Sequence, residues 1–110
     1  MWNELPWVSL ELVEAFEPLA KRLGVSEVAR SKRGFLRQYR EAGGNPDLLS
    51  DYWWKRRNNF VARHLAQVEK RDEPLIVDGF PSRRLLAFLM WAAAPGLSEK
   101  KLERLLREKA

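Results

Sequence analysis

The stretch Asp51–Lys70, DYWWKRRNNFVARHLAQVEK, constrains the fold more than any other part of the chain. At roughly 100° per residue, Trp53, Trp54, Phe60, Val61, Leu65 and Val68 fall within one arc about 140° wide, the pattern of a helix with one face in a core. The opposite side carries Tyr52, Lys55, Arg56, Asn59, Arg63, Gln67 and Lys70, in which 56, 59, 63, 67 and 70 climb at three- and four-residue steps. Ser50 is placed to cap this helix, and Asp51 suits the positive end of its dipole. Two polar residues, Arg57 and His64, interrupt the apolar arc. Arg57 is expected to lay its guanidinium on an indole or to reach a carboxylate of the glutamate-rich first helix. His64, the single histidine, is expected to be buried and neutral.

The remaining helices are read from the same signals. Val8, Leu12, Phe16, Leu19 and Leu23 define a helix over about 9–23, with Pro18 inside it predicting a kink or a break. Val28, Phe35, Tyr39 and Ala42 share a face of a segment drawn over about 32–42 and closed by Gly43-Gly44. Gly34 weakens any helix drawn through it. Asn45-Pro46 opens a short turn whose Leu48 and Leu49 point to the core, ahead of the long helix over 51–71. Leu75-Ile76-Val77, before the turn signal Asp78-Gly79, reads as an extended apolar loop, with pairing to a second copy as the alternative. A helix over 83–94 is apolar nearly all round and marks the buried centre of a bundle. Ser98 caps a last helix over 99–109, either docked or partner-seeking through Leu102, Leu105 and Leu106. Together these predict an all-α, compact orthogonal bundle of four to five helices with no significant sheet, in a single domain spanning 1–110.

Leu19-Ala20-Lys21-Arg22-Leu23-Gly24-Val25-Ser26 resembles the first half of a bacterial helix-turn-helix, with alanine in the first helix and glycine in the turn four residues on. The resemblance covers eight residues. Where a recognition helix needs apolar anchors the chain has Arg30 and Arg33, so the segment is read as a helix end capped by Gly24.

Charge and composition bound the function. The chain has 110 residues, a net charge of +5 and no cysteine, which removes disulfides, thiolate nucleophiles and cysteine–zinc sites. Residues 1–20 hold four glutamates and no lysine or arginine, unlike a signal peptide, and the longest apolar run, Leu85–Pro95, falls short of the ~20 residues a membrane span needs. A cytoplasmic protein without membrane contact is expected. Residues 21–71 hold thirteen basic against five acidic groups, so the positive excess is localised, which favours polyanionic partners. Two cationic faces carry it: Arg30, Arg33, Arg37 and Arg40, and Lys55, Arg56, Asn59 and Arg63. No carboxylate lies between Lys55 and Gln67, so ion pairs along the helix do not explain these cations. Long cations at helical spacing suit phosphates, and Asn59, Gln67 and Gln38 are amides able to read base edges.

The five tryptophans are read as core, with Trp2 and Trp7 covering the bundle's edge. No phosphate-binding loop, dinucleotide fingerprint, paired carboxylates or metal cluster is present in the sequence, and no nucleophile accompanies His64; no catalytic site, cofactor, metal or small-molecule substrate is inferred. The expected function is a small accessory or regulatory protein that binds DNA or RNA through its cationic helix faces. The alternative is a protein-interaction module or homodimeric adaptor, docking through residues 99–109 or the Leu75–Val77 loop.

Overall fold

The structure is a computed structural model and describes residues 6–109. Among the described residues the chain is mostly helical: α1 (Leu10–Arg22), α2 (Phe35–Glu41), α3 (Asp51–Arg71), α4 (Arg83–Leu89) and α5 (Glu99–Lys109). A 3₁₀ turn (Pro46–Leu48) precedes α3, and two short strands, β1 (Ile76–Val77) and β2 (Phe80–Pro81), precede α4. Serines open four helices, Ser50 and Ser98 as expected: Ser9, Ser50, Ser82 and Ser98 each accept a hydrogen bond from the backbone N–H three residues on. Pro18 does not divide α1, whose exposed side it occupies. Trp2 lies outside the described residues.

The helix-turn-helix likeness ends at Gly24. Gly24 N–H donates to the Lys21 carbonyl and Val25 N–H to the Ala20 carbonyl, with Gly24 at φ +67°, which is a Schellman helix end. No second helix follows; residues 26–33 turn back on themselves. The helix expected over 32–42 therefore begins only at Phe35. Its N-cap, Gly34, explains the difference, because a Cβ there would stand 2.1 Å from the Val28 carbonyl oxygen and 2.5 Å from that of Ala29. Glycine is needed for close backbone approach. Val28 consequently stands exposed rather than on the buried face with Phe35, Tyr39 and Ala42, and Leu48 is exposed too, leaving Leu49 to pin its turn.

The 75–81 segment is a hairpin within one chain, which corrects both the purely helical expectation and the extended-loop reading. Val77 pairs with Phe80 and Ile76 with Pro81 in antiparallel register. Asp78 and Gly79 both take positive φ (53° and 77°), the mirror-image two-residue turn whose twist matches a hairpin. Pro81 as a strand partner hid the second strand, since proline forfeits a ladder donor.

The core centres on α4, as its all-round apolar pattern predicts, while α3 contributes less to it than its apolar arc suggests. Leu85, Leu86 and Leu89 of α4 are fully buried and pack with Val13, Phe16 and Ala20 of α1, Phe35, Leu36 and Tyr39 of α2, and Leu102 and Leu105 of α5, while the equally buried Phe88 faces α3. Helix α3 lies along this core as an outer wall. Only its Val61 and Val68 are buried apolar residues, seated on Phe88 and Ala93, while Trp53, Trp54, Phe60 and Leu65 are half-buried. Helix α5 is docked, so its leucine face is internal.

Helix α4 is shorter than the apolar run that encodes it. It closes through Ala92 N–H to the Leu89 carbonyl and Ala93 N–H to the Phe88 carbonyl, with Ala92 at φ 56°, where glycine is usual. That turn directs the carbonyls of Trp91 and Ala92 at α3, where Arg57 receives them.

Candidate functional site

Arg57 is fully buried and has no carboxylate partner among the described residues. Its Nε donates to the Trp91 carbonyl (3.0 Å), its Nη2 to the carbonyls of Ala92 (2.7 Å) and Pro6 (2.9 Å), and its Nη1 to Asn58 Oδ1 (2.8 Å). The guanidinium lies 3.8 Å from the centre of the Trp7 ring, so of the two expected partners the indole is the one found among the described residues. Burial lowers its pKa to about 10, which leaves it charged at neutral pH. Val8 completes the seam: its N–H donates to the Ala92 carbonyl, and its own carbonyl accepts from the Tyr39 hydroxyl at 2.7 Å. One cation thus ties residues 6–8 and the end of α4 to α3.

On the outer side of this seam α3 borders a groove of about 580 Å³. Lys55, Arg56, Asn59 and Arg63 line it from α3, with Tyr52, Phe60 and the edge of Trp91. The four α3 residues singled out from the sequence are thereby brought together. Arg56 is fixed within the groove: its Nη1 donates to the Tyr52 hydroxyl (2.9 Å), and its guanidinium stands over the rings of Trp53 (5.1 Å) and Trp91 (6.0 Å). Among the described residues neither Lys55 nor Arg63 forms an ion pair, and no carboxylate lines the groove.

The groove's rings differ in what they offer. Phe35, Trp91, Phe60 and His64 form a continuous column, with centroid separations of 5.1, 4.8 and 4.1 Å and interplanar angles of 24°, 18° and 25°. Trp91 therefore stacks on Phe35 and Phe60, and Phe60 on Trp91 and His64, so their ring surfaces are largely engaged within the protein. Tyr52 lines the groove too; Trp53 stands perpendicular to it (87°) and the Arg56 guanidinium lies over its ring (5.9 Å), yet the side chain is 61% exposed and so retains surface accessible to a ligand. Trp91 and Phe60 were not foreseen as groove residues; Trp91 comes from 28 positions beyond Arg63, and only the tertiary fold joins them.

The second cationic set does not form a face. Arg30 and Arg33 lie in the turns before α2, so the three-four-three ladder is not helical. Arg30 donates to the Val25 carbonyl (2.7 Å), Arg37 pairs with Glu41 (2.8 Å), and Arg40 pairs with Glu14 (2.6 Å) and Glu17. Arg33 is exposed. None of the four lines the groove.

His64 is half-buried rather than buried. Its Nδ1 lies 2.8 Å from Arg84 Nη1, and an arginine can only donate, so Nδ1 accepts and the proton sits on Nε2. Burial first, then the charges of Arg84 and Arg63, hold its pKa below the ordinary histidine value, in keeping with the neutral form. The same Arg84 donates to Gln67 Oε1 (2.8 Å) and to both oxygens of Glu73 (2.9 and 3.2 Å), and so keeps the Glu73 carboxyl below its usual range. Gln67, although exposed, thus has its carboxamide oxygen taken by Arg84.

Among the described residues no group of three or more acidic or histidine side chains could hold a metal ion, and no helix is long and apolar enough to cross a membrane. No protein-family model matches the sequence, and comparison with curated proteins gives no match.

Proposed function

We propose that this protein binds single-stranded nucleic acid through the α3 groove, as an accessory or regulatory protein. The observation that carries the reading is the groove itself: three cations and an amide on one helix, in a concavity that no carboxylate of the described residues lines. A helix that reads duplex DNA is the convex partner, entering a major groove about 12 Å wide. Here the cations line a depression that receives a strand. Unpaired Lys55 and Arg63 and the pre-positioned Arg56 suit successive phosphates, and exposed Tyr52 offers a surface on which a base can stack. The Arg30–Arg40 set contributes little, because three of its four members are already engaged.

The test is fluorescence anisotropy with labelled single-stranded DNA and RNA across a salt series. Three phosphates neutralised on a single strand give a log–log slope of about −2. Arg56→Ala or Arg63→Ala lowers affinity and reduces the slope by about 0.7 each. Undetectable binding of both strand types at ~50 mM salt refutes the proposal.

A protein-interaction module is the second reading, and the hairpin favours it: Val77 and Phe80 are 47% and 56% exposed beside each other on paired strands. A salt-insensitive dimer in light scattering, with no nucleic-acid binding, selects that reading.

A further inference from the structure

The three amides of α3 have different fates, and the difference names a ligand. Asn58 is 8% exposed and its Oδ1 accepts from Arg57. Gln67 gives its Oε1 to Arg84. Asn59 is exposed, lines the groove, and among the described residues has no hydrogen-bond partner for either end of its carboxamide. It stands three residues after Arg56 and four before Arg63, so it shares their helix face and sits between them along it. The two guanidinium-bearing positions are seven residues apart, about 10 Å along the axis at 1.5 Å per residue.

We infer that Asn59 makes the groove selective for adenine in a single strand, with Arg56 and Arg63 holding the phosphates on either side of the base it reads. The inference rests on the proposed nucleic-acid function. A carboxamide offers one acceptor and two donors from a planar end, and adenine presents the matching donor–acceptor pair. Asn59 Oδ1 accepts from the N6 amino group of adenine, and Asn59 Nδ2 donates to the neighbouring ring nitrogen. Cytosine also carries an amino donor beside a ring acceptor, but its smaller ring does not reach as far from the backbone. Uracil and thymine present a carbonyl where the amino donor is needed. Tyr52, one turn before Arg56 on the same face, is placed to stack the preceding base.

The experiment compares mixed-sequence ten-nucleotide single strands that contain one central adenine, the same strand with unsubstituted purine in its place, and the same strand with cytosine or uracil. Unsubstituted purine keeps the ring and its stacking but lacks the N6 amino group. Wild-type protein is expected to bind the adenine strand roughly five- to tenfold more tightly than the purine strand, as a bidentate contact at an exposed site would give. Asn59→Ala, an exposed change toward a better helix former that leaves the fold intact, is expected to bind all strands alike. Its salt slope should equal the wild type's, because no phosphate contact is removed. Salt-dependent binding with no adenine preference, or a preference that survives in Asn59→Ala, overturns this inference and leaves the nucleic-acid function standing. No binding to any strand overturns both. Tighter binding to the duplex than to the single strand also overturns it, since the base edges would then be read in another geometry.

Discussion

Replacing Arg57 by methionine keeps the bulk of a side chain that is fully buried and removes its charge and donors. The four hydrogen bonds it donates, at the lower bound of about 1.5 kcal/mol for bonds from a charged group, contribute about 6 kcal/mol. Against this stands the penalty for burying the charge. The fall of its pKa to about 10 corresponds to roughly 3 kcal/mol at 1.36 kcal/mol per unit. The balance is a loss of about 3 kcal/mol in Arg57→Met, a large part of the ~5–15 kcal/mol that holds a domain together. Two groups account for most of it: the Trp91 carbonyl and Asn58, whose Nδ2 already lacks a partner among the described residues. The Ala92 carbonyl keeps its bond from Val8. Urea unfolding followed by tryptophan fluorescence measures the change, with a midpoint lowered by about 1.5 M at a slope near 2 kcal/mol per molar. Arg57→Lys should recover part of the loss, because it keeps the charge but not the planar fork that meets several carbonyls and lies on Trp7. A methionine variant as stable as the wild type, or more stable, refutes the reasoning; the desolvation of the charge would then outweigh its bonds.

Four further outcomes are expected. Gly34→Ala should destabilise by more than about 3 kcal/mol in thermal or urea melts, since its Cβ meets backbone oxygens that cannot move aside singly. Leu102→Ala, at a fully buried position, should cost about 2–5 kcal/mol if α5 is docked as described, and a near-neutral result would show the helix to be free. His64 should titrate below the ordinary histidine pKa by NMR. Because the folded state resists its protonation, stability should be flat above the unfolded value near 6.5 and fall as pH drops from there toward the folded pKa, a slope His64→Gln removes. Finally, Arg37→Ala with Arg40→Ala should leave nucleic-acid affinity within about twofold of wild type, while Arg56→Ala with Arg63→Ala lowers it tenfold or more at ~100 mM salt.

What the sequence makes legible here is local, and what it conceals is long-range. Serine caps at positions 9, 50, 82 and 98 and the periodicity behind them place α1, α3 and α5 within a residue of their observed bounds. Helix α2 is mis-drawn, because the demand on Gly34 comes from the carbonyls of residues 28 and 29, which fold back upon it only in three dimensions. Helix α4 stops early since Ala92 accepts a left-handed conformation that composition gives no reason to expect. Of the two cationic sets, both look alike as strings. They part company when Glu14, Glu17 and Glu41 reach the first, while among the described residues no acid pairs with the second. The cationic stripe on α3 marks this face in the sequence, but the groove and the part of Trp91 that helps to line it cannot be assigned from spacing. Arg57 is conspicuous as a charge in an apolar arc; its hydrogen-bond partners are invisible there because, among the described residues, all but Asn58 are main-chain carbonyls, which no residue pattern distinguishes.

The ring column has a consequence for how this chain folds. Its members, Phe35, Phe60, His64 and Trp91, are drawn from α2, α3 and the turn that follows α4, and Gly43-Gly44 falls between the first and the rest. The helices can form locally in about a microsecond, but bringing position 35 against position 91 closes a loop of more than fifty residues. That closure, rather than helix formation, should set the folding rate and delay the last contacts of the core. A fragment ending at the double glycine retains one ring of the four, and a fragment beginning after it leaves one face of Trp91 bare. Neither piece contains the means to finish the column, so the groove beside it should appear and disappear together with the whole fold.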